Sequence, residues 1–245
     1  MKRFLSLYSI EQKLALRSCD MLIFGVFMPV GILVLISVIA GSKMAGEGYT
    51  YLEGSFASLI AVGVCAMAFM GIPLTIADYR DKKILKHFFA TPCSPAVLLL
   101  ADVLCCFVTA AASAIAVSIV SVVCLGYRMP GNVIAFIGAW LLTLVCMFSI
   151  GLMIASLCRT VKAANAVTSL VYFPMLFLSG ATIPYELFPT GLQRLAAFLP
   201  LTQGIKLMKA VSLGLTPDSL WLIIVLLLGI TVVCSVVSIK AFRWE

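Results

Sequence analysis

Long apolar runs separated by short polar segments extend along the whole chain. Each run holds about 20 residues, which as a helix rising 1.5 Å per residue crosses the ~30 Å hydrocarbon core of a bilayer. Because lipid offers the backbone no hydrogen-bond partner, such runs are predicted to be helices. Six spans are predicted, at residues about 21–41, 56–77, 97–124, 133–157, 163–183 and 220–239.

The segment before the first run is also predicted to be helical. It is longer than the short basic region that precedes the apolar core of a signal peptide, so the first span is predicted to stay uncleaved. Residues 1–20 are predicted to form an amphipathic helix on the membrane surface. We assign Lys13 and Arg17 to its polar side and Leu7, Ile10 and Leu14 to the opposite side.

Residues 78–95, between the second and third runs, concentrate charge and follow helical spacing. The apolar positions fall on one face of this helix and the lysines fall on the other. The apolar positions are Ile84, Leu85, Phe88 and Phe89, and the lysines are Lys82, Lys83 and Lys86. Prolines at positions 92 and 95 end the helix before the third run begins. The pattern fits an interfacial anchor and a docking helix for a cytoplasmic partner equally well.

Composition places the chain in the membrane. Hydrophobic residues make up 63% of the sequence, charged residues make up 11%, and the mean hydropathy is +1.17. Soluble domains carry about 25% charged residues, and a surface this apolar would associate in water. We therefore predict an all-α integral membrane protein with a single domain covering residues 1–245.

The distribution of basic residues predicts the orientation, because Lys and Arg concentrate in cytoplasmic loops. Most of the 17 basic residues fall in the two termini and in the loops after the second and fourth spans. The other loops hold Lys43, Arg128, Arg194, Lys206 and Lys209. Both termini and the 78–95 loop are therefore predicted to be cytoplasmic.

Several kinds of chemistry find no support in the sequence. The 9 cysteines form no C-x-x-C pair and the chain has 1 histidine, so no metal site is expected. No G-x-x-x-x-G-K-[ST] motif is present to bind nucleotide phosphates. Asp102 is the one acid within the predicted spans, and we expect it to reach the interface or favour its helix N-terminus. Ion-driven transporters usually place acids deeper in the membrane.

Three stretches, in order, carry a family resemblance. They are LALRSCDMLIFGVFMPVGILVLISVIAG at the first span, YRDKKILKHFFATPCSPAVLLLADVL between the second and third, and LFLSGATIPYELFPTGLQRLAAFLPLTQGIKLMKAV after the fifth. With them the chain resembles the permease subunits of type-2 ATP-binding-cassette (ABC) exporters, most closely the small drug-efflux branch. Asp102, Gln203 and Lys209 depart from the residues usual in that family.

The resemblance implies a partner and a mechanism. Two permeases pair, as a homodimer or a heterodimer, and an ABC ATPase subunit docks beneath each. ATP and Mg²⁺ would bind to that partner, and no cofactor is expected in this chain. The loop after the second span would be the coupling helix, and the N-terminal surface helix would be a second contact. The coupling residues carried over are Lys83, Ile84, Leu85, Lys86, Phe88 and Phe89.

The sequence gives weaker indications of a substrate pathway than of the coupling helix. Met67, Phe69 and Met70 offer a soft apolar surface on the second span, although core or lipid contacts explain them as well. Asn165 and Thr168, on the more polar fifth span, are expected to face a cavity or a neighbouring helix.

The segment 184–219 carries apolar positions at helical spacing on both sides of Pro200. The resemblance implies an external helical hairpin that dips into the outer leaflet and acts as an outer gate. The gate residues carried over are Ser179, Gly180 and Pro200.

The expected function is export of a hydrophobic or amphipathic substrate, powered by the separate ATPase. Exporters of drugs, antibiotic peptides, lipids and glycans share this architecture, so the cargo stays open. The alternatives are a secondary transporter or channel and a non-transporting immunity or assembly factor of the same fold. A membrane enzyme is disfavoured because the spans lack paired acids or histidines. Membrane lipid is an expected partner and nucleic acid is not, because the net charge of +7 reports loop orientation.

Overall fold

The computed structural model describes residues 2–17, 19–41, 44–46, 49–84, 95–180, 188–215 and 219–242. Helices dominate the described residues, and three of them contain a π-helical turn. The helices are α1 (Lys2–Arg17), α2 (Cys19–Leu22 and Met28–Ala40, joined by a π-helical turn at Ile23–Phe27), α3 (Tyr51–Asp81, with a π-helical turn at Met67–Gly71), α4 (Pro95–Ile119, followed by a π-helical turn at Val120–Cys124), α5 (Val133–Leu157), α6 (Val161–Leu178), α7 (Thr190–Ala197), α8 (Pro200–Leu213) and α9 (Leu220–Ala241).

The all-α membrane architecture is confirmed. Within the described residues, α3, α4, α5, α6 and α9 are long and apolar enough to cross a membrane, and a shorter apolar stretch of α2 covers Ile23–Ile39. The number of spans and the sidedness remain predictions.

A short antiparallel hairpin precedes α3 and was not predicted. Its strands are β1 (Met44–Gly46) and β2 (Tyr49–Thr50), with Met44 opposite Thr50 and Gly46 opposite Tyr49. α3 then begins at Tyr51, earlier than the predicted span. The reason is a capping box: Glu53 N donates to Thr50 Oγ1 at 3.3 Å, and Thr50 N donates to Glu53 Oε2 at 2.7 Å. A search for apolar runs passes over this polar first turn.

α3 forms the centre of the bundle. In its most apolar 18-residue stretch 83% of the residues are buried, against 17% in the corresponding stretch of α9. Small residues let the neighbouring helices come close to it. A Cβ on Gly151 of α5 would collide with the carbonyl oxygen of Ala68. The core of the molecule therefore lies around α3, while α9 packs on its outside against α5.

The π-helical turns of α2 and α3 face each other. Gly25, in the turn of α2, lies so close to Met67, in the turn of α3, that an added Cβ would overlap the methyl group of Met67. A π-helical turn shifts the helix face by one residue and is frequent at functional positions. Here it lets two apolar helices cross at a single small residue.

One end of the bundle collects the hairpin, the α4–α5 connection and α8. Lys209 Nζ donates to the Tyr49 hydroxyl at 3.1 Å and lies 4.6 Å from the centre of the Tyr49 ring. Gly131 N donates to Ser212 O at 3.1 Å, which ties the α4–α5 connection to the end of α8. The basic-residue distribution predicts that this end is external. The opposite end carries α1, the base of the 78–95 loop and the end of α9.

Candidate coupling site at the base of the 78–95 loop

α3 ends in a tight turn at the start of the 78–95 loop. Lys82 N donates to Asp78 O at 3.0 Å, and Lys83 N donates to Arg80 O at 2.9 Å. Lys83 has a φ of 55°, a left-handed conformation that stops the helix. Lys82 Nζ also pairs with Asp78 Oδ2 at 2.7 Å in an exposed ion pair of small energetic value. The direction in which the loop leaves α3 is therefore fixed.

Arg80 binds the far end of α5. Its Nη1 donates to Ala155 O at 2.7 Å and to Cys158 O at 2.8 Å. These are carbonyls at the C-terminus of a helix, where the partial negative charge of the helix dipole favours a cation. The guanidinium also lies 4.8 Å from the ring centre of Phe242, just beyond α9. Its Nε and Nη2 atoms are buried and find no hydrogen-bond acceptor among the described residues.

Asp81 binds the next helix from the same turn. Val161 N, at the start of α6, donates to Asp81 Oδ2 at 3.2 Å. An anion at a helix N-terminus is stabilised by unpaired N–H groups and by the dipole. Two adjacent residues of opposite charge thus hold the two sides of the α5–α6 connection. We call this pair the Arg80–Asp81 clamp.

Tyr79 connects the same turn to α1. Its hydroxyl donates to Glu11 Oε1 at 2.5 Å, and both residues are buried. Burial raises the pKa of the Glu11 carboxyl, and the hydrogen bond from Tyr79 lowers it in part. The Tyr79 ring packs with Leu98 of α4 against Leu7 and Ile84. Three consecutive residues of α3 therefore contact α1, α4, α5, α6 and the end of α9.

Asp102 does not reach the interface as the sequence analysis expected. Its side chain is 3% exposed, and Oδ2 has no hydrogen-bond partner among the described residues. The carboxyl groups of Asp102 and Glu11 influence each other electrostatically. α1 packs over the start of α4 and covers Asp102. The residue pattern of α4 alone does not reveal this contact with another helix.

The predicted coupling residues are only partly within the described structure. Lys83 is exposed, and Ile84 is half-buried against Tyr79 and Leu98. The other four, Leu85, Lys86, Phe88 and Phe89, lie outside the described residues. Their role in docking remains a prediction. The structure shows how Tyr79, Arg80 and Asp81, at the base of the loop, bond to the neighbouring helices.

The predicted pathway residues do not form one surface in this structure. Met67 and Phe69 are fully buried and Met70 is half-buried. Thr168 is buried, and its hydroxyl has no hydrogen-bond partner in the part of the chain that the structure describes, whereas Asn165 is exposed near the start of α6. The described pathway residues are thus mostly packed between helices, and a role in transport stays a prediction.

The predicted gate residues lie at two helix boundaries. Ser179 is buried and its hydroxyl donates to Leu176 O at 3.2 Å, while Gly180 follows α6 with a φ of 82°. Pro200 is buried at the start of α8. Gln203 Nε2 donates to Ala197 O at 2.5 Å, which joins α8 to α7. The two short helices of the 184–219 segment are present, and residues 181–187 lie outside the described structure.

Sequence reasoning missed the clamp and the Tyr79–Glu11 bond. The acceptors of Arg80 are main-chain carbonyls, so no side-chain motif announces them. One signal was available for Glu11, because it is an acid in a basic helix with the apolar residues Leu7 and Ala15 one helical turn before and after it. Such a charge requires a partner when the helix packs against a protein.

The helices and the bonded base of the 78–95 loop define a multi-pass membrane protein whose helices are tied together at one end. Comparison with known families then gives a match to the family described as ABC-2 type transporter over residues 2–213. The chain belongs to this family, as the resemblance in its sequence implied.

Bacterial relatives of this chain carry the name nodulation protein J. The protein of Rhizobium leguminosarum bv. viciae is 39% identical over 66 residues, which is 27% of this chain and 26% of the relative. That of Rhizobium leguminosarum bv. trifolii is 32% identical over 90 residues, 37% of this chain and 34% of the relative. That of Bradyrhizobium diazoefficiens is 26% identical over 198 residues, 80% of this chain and 75% of the relative. The chain therefore aligns with only a minor part of the two Rhizobium proteins.

Proposed function

We propose that this chain is the membrane-spanning permease subunit of an ABC exporter. A separate ABC ATPase subunit would dock on the 78–95 loop and supply the energy of ATP hydrolysis. Family membership supports a permease role, and the sequence has no P-loop motif of its own.

The observation that carries the proposal is the bonding at the base of the loop. Arg80 and Asp81 connect the loop to the end of α5 and the start of α6, so a displacement of the loop moves both helices. Shifting a gate from 1:99 to 99:1 requires ~5.5 kcal/mol. Hydrogen bonds to charged groups contribute about 1.5–3 kcal/mol each. The clamp is thus strong enough to transmit a change of the required size.

We propose that a second permease, identical or related, completes the transporter. Support comes from the family resemblance and from exposed residues of α6. Asn165 is exposed near the start of this helix, and Leu170 and Phe177 are exposed about 120–140° around the helix axis from it. Polar groups in membrane helices usually face protein, so α6 is the candidate contact.

A hydrophobic or amphipathic cargo, such as a drug, an antibiotic or a lipid-like molecule, fits the apolar interior best. Met67 and Phe69 would contact it only after α2 or α6 moves away from α3, because both side chains are buried at present. The names of the relatives do not assign a cargo to this chain.

A secondary transporter is the second candidate function. The observation that favours it is buried Asp102, one oxygen of which has no hydrogen-bond partner among the described residues. The Glu11–Asp102 pair lies at one end of the bundle, whereas ion-coupling acids usually lie near the middle of the membrane. ATP-driven transport therefore remains the better supported function.

The test is whether a neighbouring reading frame encodes an ABC ATPase and whether that ATPase associates with this chain. We expect the two proteins to purify together, and Phe88→Asp with Phe89→Asp to abolish the association while membrane insertion stays normal. Arg194→Asp, at the opposite end of the bundle, is the matched control and should purify with the ATPase. Unchanged association of the double variant would show that the loop is only an anchor.

Transport by the purified chain alone would instead identify a secondary transporter. An immunity or assembly factor would bind the ATPase without moving any substrate. Measuring substrate uptake into inverted vesicles with and without ATP separates these outcomes.

A further inference from the structure

The exposed face of α1 combines apolar and basic side chains. Ile10 and Leu14 are 55% and 53% exposed, and Lys13 and Arg17 are exposed beside them. At about 100° per residue, these four positions cover roughly one third of the helix circumference. The expected placement of Lys13 and Arg17 opposite Ile10 and Leu14 is wrong, because Arg17 lies only about 20° from Ile10 around the axis.

The side of α1 that adjoins Leu14 is occupied by protein. Glu11 is 6% exposed and accepts the hydrogen bond from Tyr79, and Leu7 packs with the ring of Tyr79 and with Leu98. The acid of this helix is therefore turned inward. Among the side chains described in α1, the charges on the outward face are all positive.

The position of α1 places this face at a membrane boundary. α1 ends at Arg17, and the helix that carries the first apolar run begins at Cys19. On α4, against which α1 packs, Leu100 is 59% exposed and marks an apolar, lipid-facing surface.

We propose that the face formed by Ile10, Lys13, Leu14 and Arg17 binds the anionic phospholipid surface of the adjacent leaflet. The two apolar side chains insert at the boundary between headgroups and acyl chains, and the two cations contact the lipid phosphates. An ATPase surface is the competing occupant. The lipid is favoured because this face combines two basic and two apolar side chains and includes no acid. Such a face is complementary to a bilayer surface, where negatively charged headgroups lie above apolar acyl chains.

Hydrogen exchange of the full-length chain in lipid nanodiscs tests the proposal. The discs contain phosphatidylcholine alone or phosphatidylcholine mixed with phosphatidylglycerol. We expect the amides of residues 7–17 to gain roughly 30-fold in protection in the anionic discs, the combined effect of two basic residues at such a surface. Lys13→Gln with Arg17→Gln should remove this gain, whereas Arg194→Gln at the other end should keep it.

Three outcomes would overturn the proposal. One is equal protection in neutral and anionic discs. Another is an equal gain in neutral discs when soluble glycerol phosphate is added, which would identify a free-phosphate site. A third is protection that appears only after the ATPase is added, regardless of lipid charge, which would identify a protein-docking face. Exchange in α9, measured in the same sample, shows that the variants fold normally.

Discussion

Arg80 is a charged residue that a half-buried position tolerates because main-chain groups bind it. Nη1 is fully used by two carbonyls of the α5 C-terminus, while Nε and Nη2 stay without an acceptor among the described residues. A half-buried charge with only part of its donors paired is costly, so Arg80 contributes to stability only while both carbonyl bonds persist. Its energetic value therefore depends on the distance between α3 and the end of α5.

Arg80→Ala should lower the free energy of unfolding by about 3–6 kcal/mol, because it removes two charge-assisted hydrogen bonds of about 1.5–3 kcal/mol each. Thermal unfolding in detergent measures the loss. Lys82→Ala, on the same turn, removes only the exposed pair with Asp78 and should cost less than about 1 kcal/mol. Equal losses for the two variants would contradict the assignment of Arg80 to a structural bond.

Glu11 predicts a pH dependence of α1 docking. Burial raises its folded-state pKa above the ordinary value of 4.5, so the folded protein binds this proton more tightly than the unfolded one. The contribution to docking is complete below pH 4.5 and is lost as the pH rises through the raised pKa. The protection factors of α1 amides, corrected for intrinsic exchange, should fall over this range.

Two variants test the role of Glu11 in that effect. Glu11→Gln has no proton to lose and should show no fall in protection. Tyr79→Phe removes the bond that stabilises the carboxylate and should move the transition to higher pH. A transition that is unchanged in Glu11→Gln would place the titrating group elsewhere.

At the scale of elements, the crossing of α3 and α5 depends on Gly151. A side chain there would meet the backbone of Ala68, which cannot rotate away. Gly151→Val should therefore destabilise the protein by about 1–3 kcal/mol through overpacking. Gly138, also on α5, has open space around its Cα, so Gly138→Val is the matched control. Similar thermal unfolding of both variants would show that the helices separate without strain.

The sequence predicted helices better than it predicted how they pack. Apolar runs located six helices, because lipid permits few alternatives to helix. The start of α3 and the hairpin before it escaped, since the capping box of Thr50 and Glu53 is polar. The orientation of α1 was wrong because its apolar and basic positions are neighbours around the axis, and only the contact with Tyr79 fixes which side is buried. The partners of Arg80 are carbonyls, which no sequence pattern identifies.

At the scale of the whole molecule, weakening the Arg80–Asp81 clamp is predicted to uncouple transport from ATP hydrolysis. In a complex with the ATPase, Asp81→Asn should keep ATP hydrolysis but reduce substrate moved per ATP, because the loop no longer holds α6 by a charged bond. Simultaneous measurement of hydrolysis and uptake in vesicles checks this. Asp78→Asn, which breaks only the exposed pair, should keep the normal ratio. A parallel fall of both activities in Asp81→Asn would indicate loss of folding or docking instead.

The predicted sidedness can be tested by labelling. Ser9→Cys on α1 and Arg194→Cys on α7 lie at exposed positions at opposite ends of the bundle. In a background with Cys19, Cys93 and Cys124 replaced by Ser, a membrane-impermeant thiol reagent added to intact cells should label position 194 and leave position 9 unlabelled. The reverse result would invert the orientation and remove the 78–95 loop from contact with any cytoplasmic ATPase.

Tyr79, Arg80 and Asp81 point to three different neighbours from a single helical turn, so the length of α3 is fixed to the residue. Inserting one alanine between Gly71 and Tyr79 would turn the three side chains by about 100° and advance them by about 1.5 Å. All four hydrogen bonds of these residues would break together, although no bonded residue had been replaced. Substitutions between Gly71 and Tyr79 are therefore expected to be tolerated far more readily than insertions or deletions in the same segment.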